Sequence, residues 1–265
     1  MKSKSILVMM IAMITLSQSC VNTPIRGNKY IVTREINVND YDEIQISVPV
    51  DFEYSQSASP YLQVTTDENI LEYLKIYTEG RTLHIKSQKM NGNTYVNLQP
   101  TTLKITGHSS GLSEVKSSGS AVFQTMNALH VPSLEFALSG SGKILFNDSV
   151  TVNRLGINIS GSGRLETTSP VIAEDMNVKI SGSGKIVMPG KITNSTISIS
   201  GSGNMNALDA TFTNLSCHIS GSGESSATIL QSLSYSISGS GKISYRGNPA
   251  LSGSVSGSGK IIHLD

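Results

Sequence analysis

Ile159-Ser160-Gly161-Ser162-Gly163-Arg164-Leu165 and, 21 residues on, Ile180-Ser181-Gly182-Ser183-Gly184-Lys185-Ile186 are two copies of one phrase. Ser-Gly-Ser-Gly begins at Ser139, Ser160, Ser181, Ser200, Ser220, Ser238 and Ser256, in steps of 21, 21, 19, 20, 18 and 18 residues. A decayed copy, Ser118-Gly119-Ser120-Ala121, stands 21 residues before the first. The intact copies hold 14 of the 24 glycines, so the glycine excess marks a repeated architecture and not a flexible linker.

Around each copy the side chains alternate. Leu138, Ile159, Ile180, Ile199, Ile219, Ile237 and Val255 immediately precede the first Ser, and Phe136, Ile157, Val178, Ile197, Cys217, Tyr235 and Gly253 stand two residues earlier. Mostly polar residues separate these two columns, so the period is two and the segment is a strand. After the motif come Lys143, Arg164, Lys185, Asn204, Glu224, Lys242 and Lys260, then Ile144, Leu165, Ile186, Met205, Ser225, Ile243 and Ile261. Counting the first Ser as zero, the apolar columns and both glycines fall on odd positions. Unbroken parity favours a strand that bends through the motif with glycines inward and serines outward, over a tight turn with Gly at positive φ.

A repeat of ~20 residues cannot bury an apolar face alone, so successive copies stack. The predicted fold is all-β, a parallel β-helix (β-solenoid) of 18–21-residue coils, right-handed by chain chirality. Eight coils at ~4.8 Å make a rod of roughly 35 Å. Residues 117–265 form the regular coils. Residues 30–116 are strand-rich but irregular, with Ile44-Gln45-Ile46-Ser47-Val48 and Thr82-Leu83-His84-Ile85-Lys86 alternating and Asp67 placed to cap a short helix over Glu68 to Leu74.

The first residues read as an address. Lys2 and Lys4 precede an eleven-residue apolar run, Ile6 to Leu16, too short to span a membrane. Ser17-Gln18-Ser19-Cys20 then resembles the lipobox of bacterial lipoproteins, which implies a signal peptide over 1–19, a lipid on Cys20 and a tether over 20–29. Without residues 1–19 the chain carries 18 basic against 19 acidic side chains, a net charge of −1. That balance, and a charged fraction of 15%, leave no concentrated basic face for a nucleic acid.

The lipoprotein-like start, the opening Arg34-Glu35-Ile36-Asn37-Val38-Asn39-Asp40-Tyr41-Asp42-Glu43-Ile44, the segment Val50-Asp51-Phe52-Glu53-Tyr54 and the repeated Ile-Ser-Gly-Ser-Gly-Lys-Ile together resemble the auto-transporter adhesin family with the head GIN domain, common in Bacteroidetes envelopes. The resemblance runs over about residues 34 to 263. It implies a β-helical extracytoplasmic domain, an adhesin role and no catalytic residues to carry over. The expected protein is therefore a non-catalytic, lipid-anchored envelope protein, of the outer membrane, acting in adhesion or as an interaction scaffold.

Other chemistries fit less well. A carbohydrate-active β-helix enzyme is the alternative, and it needs a carboxylate cluster in a groove. Here Glu135, Asp148, Glu166, Asp209 and Glu224 are scattered, and only Glu174-Asp175 are neighbours. The five histidines show no metal-ligand spacing. Gly-Ser-Gly-Lys is followed by Ile where a P-loop places Ser or Thr, and no Asp follows the serines as calcium-binding turns require. No cofactor is expected. Cys217 and His218 are adjacent on a strand and face opposite ways, so Cys217 reads as a small buried hydrophobe. What remains is the outer edge: two Ser columns beside the ladder Lys143, Arg164, Lys185, Lys242 and Lys260, interrupted by Asn204 and Glu224. Exposed lysines suppress side-by-side strand association. The same ladder could bind an extended glycan, or an envelope protein, through repeated weak contacts.

Overall fold

A computed structural model describes residues 24–90 and 94–265. They are almost all strand, with one short helix, and wind into a parallel β-solenoid of about seven turns. A long strand runs up to the first Gly of each motif, as in Leu129–Gly140, Val150–Gly161, Val171–Gly182 and Gly190–Gly201. A short strand follows it, as in Lys143–Phe146, Arg164–Thr167 and Lys185–Val187. Each strand pairs in parallel with its counterpart one coil away. The register Ser139↔Ser160↔Ser181↔Ser200↔Ser220↔Ser238↔Ser256 is unbroken, so every repeat position becomes an axial column. The shortening from 20 to 18 residues is taken up by register shifts between Ala207 and Thr211 and between Phe212 and Asn214.

Burial shows how a coil turns. In Val171–Gly182 the inward residues are Val171 and Ala173, then Met176, Val178 and Ile180, with Glu174 and Asp175 both outward between the two sets. Two successive outward residues shift the inward parity by one, so the long strand supplies two sides of the coil and the short strand the third. The interior is a set of aliphatic stacks. Ile157, Val178, Ile197 and Cys217 are fully buried in one column, and Ile144, Leu165, Ile186 and Met205 in another. Burying each large aliphatic chain contributes ~1.5–3 kcal/mol, and the parallel ladder between coils keeps the backbone amides and carbonyls paired.

At the motif the expected smooth bend is replaced by a corner. The first glycines hold positive φ, from +106° at Gly257 to +124° at Gly140. The reason lies in the hydrogen-bond ladder, which continues around the corner: the Ser183 amide donates to the Gly161 carbonyl at 2.9 Å and the Lys185 amide to Gly163 at 3.0 Å. Keeping each amide over the carbonyl one coil below directs the Gly182 Cβ position along the axis, 2.7 Å from the Gly161 carbonyl oxygen, where no side chain fits. The second glycine does face inward. A Cβ on Gly184 would stand 2.6 Å from Ile159 Cγ2 of the coil below. Parity survives the turn, with both serines outward and the residue after the motif at the surface.

Residues 30–116 join the same sheet and then close its end. Glu43–Ile46 and Asp51–Gln56 form a further parallel layer, pairing with Glu114–Gly119 and Val122–Thr125. Beyond it the directions alternate: Tyr61–Asp67 runs antiparallel to Leu103–Ser109 and Ile31–Glu35, and Leu74–Glu79 antiparallel to Thr82–Ser87. The core there is aromatic. Phe123 packs on Phe52 at 5.6 Å between ring centroids and on Tyr54 and Phe136 at 6.0 Å. Tyr54 hydrogen-bonds Ser109 Oγ at 2.8 Å, and its burial outweighs that bond, pushing the phenol up to about 12.

Two local expectations are corrected. The helix is only Glu68–Leu71, because Leu74 opens a strand, and Asp67 makes no capping hydrogen bond. Its carboxylate instead accepts from the Lys29 amide at 2.8 Å and the Thr101 amide at 2.7 Å, partners distant in sequence. Burial works against its charge, but these hydrogen bonds win and hold the carboxyl below its ordinary value. The described part of the expected tether is accordingly docked. Ile25–Arg26 pairs with Leu98–Gln99, and Asn69 clasps the Arg26 carbonyl and the Asn28 amide.

Candidate functional site

The repeat turns single residues into surface columns, so any site here is axial. Along the corner the first serines, Ser139 to Ser256, and the second serines, such as Ser141, Ser162 and Ser183, are exposed. None of their hydroxyls has a hydrogen-bond partner among the described residues, so their donors and acceptors all face outward. Beyond the corner Lys143, Arg164, Lys185, Asn204, Glu224, Lys242 and Lys260 stack in strict register, as the spacing predicts.

That ladder is not a uniform cationic stripe. Lys143 Nζ lies 2.8 Å from Glu166 of the next coil, and Lys242 Nζ lies 2.7 Å from Glu224 of the preceding one. The hydrogen bond from Lys143, reinforced by the charges of Lys185 and Arg164, holds the Glu166 carboxyl below its usual range against the opposing effect of burial. Arg164, Lys185 and Lys260 make no ion pair among the described residues. They are the part of the ladder open to a ligand, while Lys143 and Lys242 are engaged within the fold.

On the other side of the serines lies a trench that sequence reading missed. Its floor is the inward column Ile46, Ser117, Leu138, Ile159, Ile180 and Ile199, and one rim is the serine column. The opposite rim carries Lys116, Asn158, Lys179 and His218. Two segments of about 510 and 450 Å³ meet at Lys179 and Ser181, so the trench crosses most of the coils. The signal was present, since these residues hold the position two before the motif. Only tertiary stacking shows that they line a concave wall.

The carboxylates of the repeat region are dispersed over this surface. Glu135 accepts from Asn158 at 2.9 Å, Asp175 from Asn194 at 3.1 Å, and Glu166 and Glu224 are engaged by lysines. Cys217 is fully buried and points away from exposed His218, and burial pushes its thiol up to about 12. A buried, un-ionised thiol does no nucleophilic chemistry. The candidate lipid site, Cys20, lies outside the described residues, as does the signal segment before it.

A profile of the family described as "Putative auto-transporter adhesin, head GIN domain" matches residues 40–249. The chain belongs to this family. Two crystal structures share its coils closely. One, of a putative adhesin from Parabacteroides merdae, is 27% identical, with 91% of this chain and 99% of that one covered and a TM-score of 0.85. The other, of a putative lipid binding protein from Parabacteroides distasonis, is 34% identical, covers 91% and 100% of the two chains, and has a TM-score of 0.84. A second Parabacteroides distasonis structure, a putative adhesin, is 26% identical over 91% and 99%, with a TM-score of 0.83. No curated protein matches the chain. The head GIN fold thus extends through both halves of the molecule, the antiparallel end included.

Proposed function

We propose that this head GIN protein is a non-catalytic adhesion module of a bacterial cell envelope, held at the outer membrane by a lipid on Cys20, and that its serine corner grips an extended glycan. The observation that carries this reading is the set of in-register serine columns whose hydroxyls have no partner among the described residues, flanked by Arg164, Lys185 and Lys260 on one side and Lys179 on the other. A polymer with regularly spaced hydroxyl or acidic groups meets many weak donors at once, and such contacts multiply through effective concentration. Its relatives described as putative adhesins support the role, and the signal sequence supports the address.

The test is a glycan array probed with the wild-type chain and with Arg164→Ser/Lys185→Ser/Lys260→Ser. Binding of acidic glycans should fall at least tenfold with an unchanged thermal melt, and unchanged binding would sink the proposal. Chain shortening of any bound polysaccharide would favour the enzyme alternative instead. Protease shaving of intact cells tests the address, because a surface adhesin must be cleavable from outside.

A further inference from the structure

A second groove, of about 550 Å³, runs along the axis where the long strand changes sides. That volume is typical of ligand clefts. One rim is the register column Arg154, Asp175, Asn194, Asn214 and Ser232. These side chains form a relay: Asn194 Nδ2 donates to Asp175 at 3.1 Å, Asn214 Nδ2 to Asn194 Oδ1 at 3.2 Å, and Ser232 Oγ to Asn214 Oδ1 at 2.7 Å. Each amide spends one N–H and one lone pair on its neighbours. The other N–H and lone pair are left pointing outward, fixed in orientation and repeated once per coil. The facing rim is Glu135, Asn177, Thr196, Ser216 and Ser234, with the Glu135 side chain lying against Gly156.

Between the rims the column Leu155, Met176, Ser195 and Leu215 points into the core and is at most 6% exposed, so recognition falls to the rims. The charged residues of the groove, Glu135, Arg154 and Asp175, stand on its first three coils, and the lining of the three coils beyond Asp175 carries no formal charge. The spare amide and hydroxyl donors and acceptors of those coils suit a neutral molecule whose groups both donate and accept.

We infer that this groove is a binding site for a neutral oligosaccharide lying along the solenoid axis, with the Asn194–Asn214 relay as its recognition group. The site is separate from the serine corner, so either reading can fail alone. The full chain is titrated with neutral hexasaccharides of glucose, mannose and N-acetylglucosamine. At least one should bind, and Asn214→Ala should weaken it about tenfold, while Arg164→Ser/Lys185→Ser/Lys260→Ser leaves its affinity within about twofold. Asn214 is half-exposed, so its replacement should leave the thermal melt unchanged. Binding by none of the hexasaccharides, or binding indifferent to Asn214→Ala, overturns the inference. Equal loss in the corner variant overturns it too, by placing the sugar on the serine edge.

Discussion

The two ends of this solenoid are built on opposite principles. In residues 30–116 strand direction reverses, aromatic rings fill the core, and single polar groups such as Asp67 and Tyr54 tie distant segments together. In the regular coils every neighbour is parallel, the core is mostly Ile, Leu and Val, and the corner is carried by glycine. The last long strand, Ala250–Gly257, is exposed along its whole length and pairs only with the coil before it. Closing a solenoid thus takes long-range, residue-specific contacts, whereas extending it takes only repetition of a local phrase.

The strongest way to break the contrast is at the seam. Phe123→Ala empties a site shared by Phe52, Tyr54 and Phe136, and should cost about 3–5 kcal/mol. Denaturant melts followed by hydrogen exchange should show the antiparallel end loosening first.

A paired glycine test separates the two building rules. Gly182→Ala puts a methyl group against the Gly161 carbonyl at positive φ and should cost about 3 kcal/mol. Gly80→Ala, at φ +60° in the hairpin between Leu74–Glu79 and Thr82–Ser87, meets open space and should cost only about 1 kcal/mol. Equal losses would show that backbone conformation, and not coil-to-coil contact, sets the requirement.

The smallest effect is confined to the docked segment. Asp67 has its carboxyl depressed in the fold, so its stabilisation is complete above the unfolded value of ~3.9 and drains away as pH falls through the folded one. Amide protection at residues 25–29 should therefore fall in acid ahead of protection in the regular coils. Asp67→Asn should lower it at neutral pH and remove that pH dependence.

The regular half was largely legible because its information is local. The columns before and after Ser-Gly-Ser-Gly, the inward second glycine and the burial of Cys217 follow from a period of two. The turn at the first glycine was not legible, since a corner that keeps the axial ladder preserves parity just as a bent strand does. Asp67 misled for a different reason: its local position is that of a cap, but the amides of Lys29 and Thr101 reach it from 38 and 34 residues away. The partial neutralisation of the lysine ladder was hidden because Lys143 and Glu166 occupy different columns of successive coils. The Asn194–Asn214 relay sits six residues before each motif and was readable by alignment, though nothing local says that those amides meet.

From sequence alone came the repeat, its strand periodicity, the stacking of coils and the family resemblance, because a solenoid writes its core once per turn and the hydrophobic effect acts on each copy alike. Only the tertiary structure decided which columns face a groove, which lysines are engaged and how the first coil is closed. Those depend on distances between chains of atoms one coil apart or many residues apart, which periodicity does not encode.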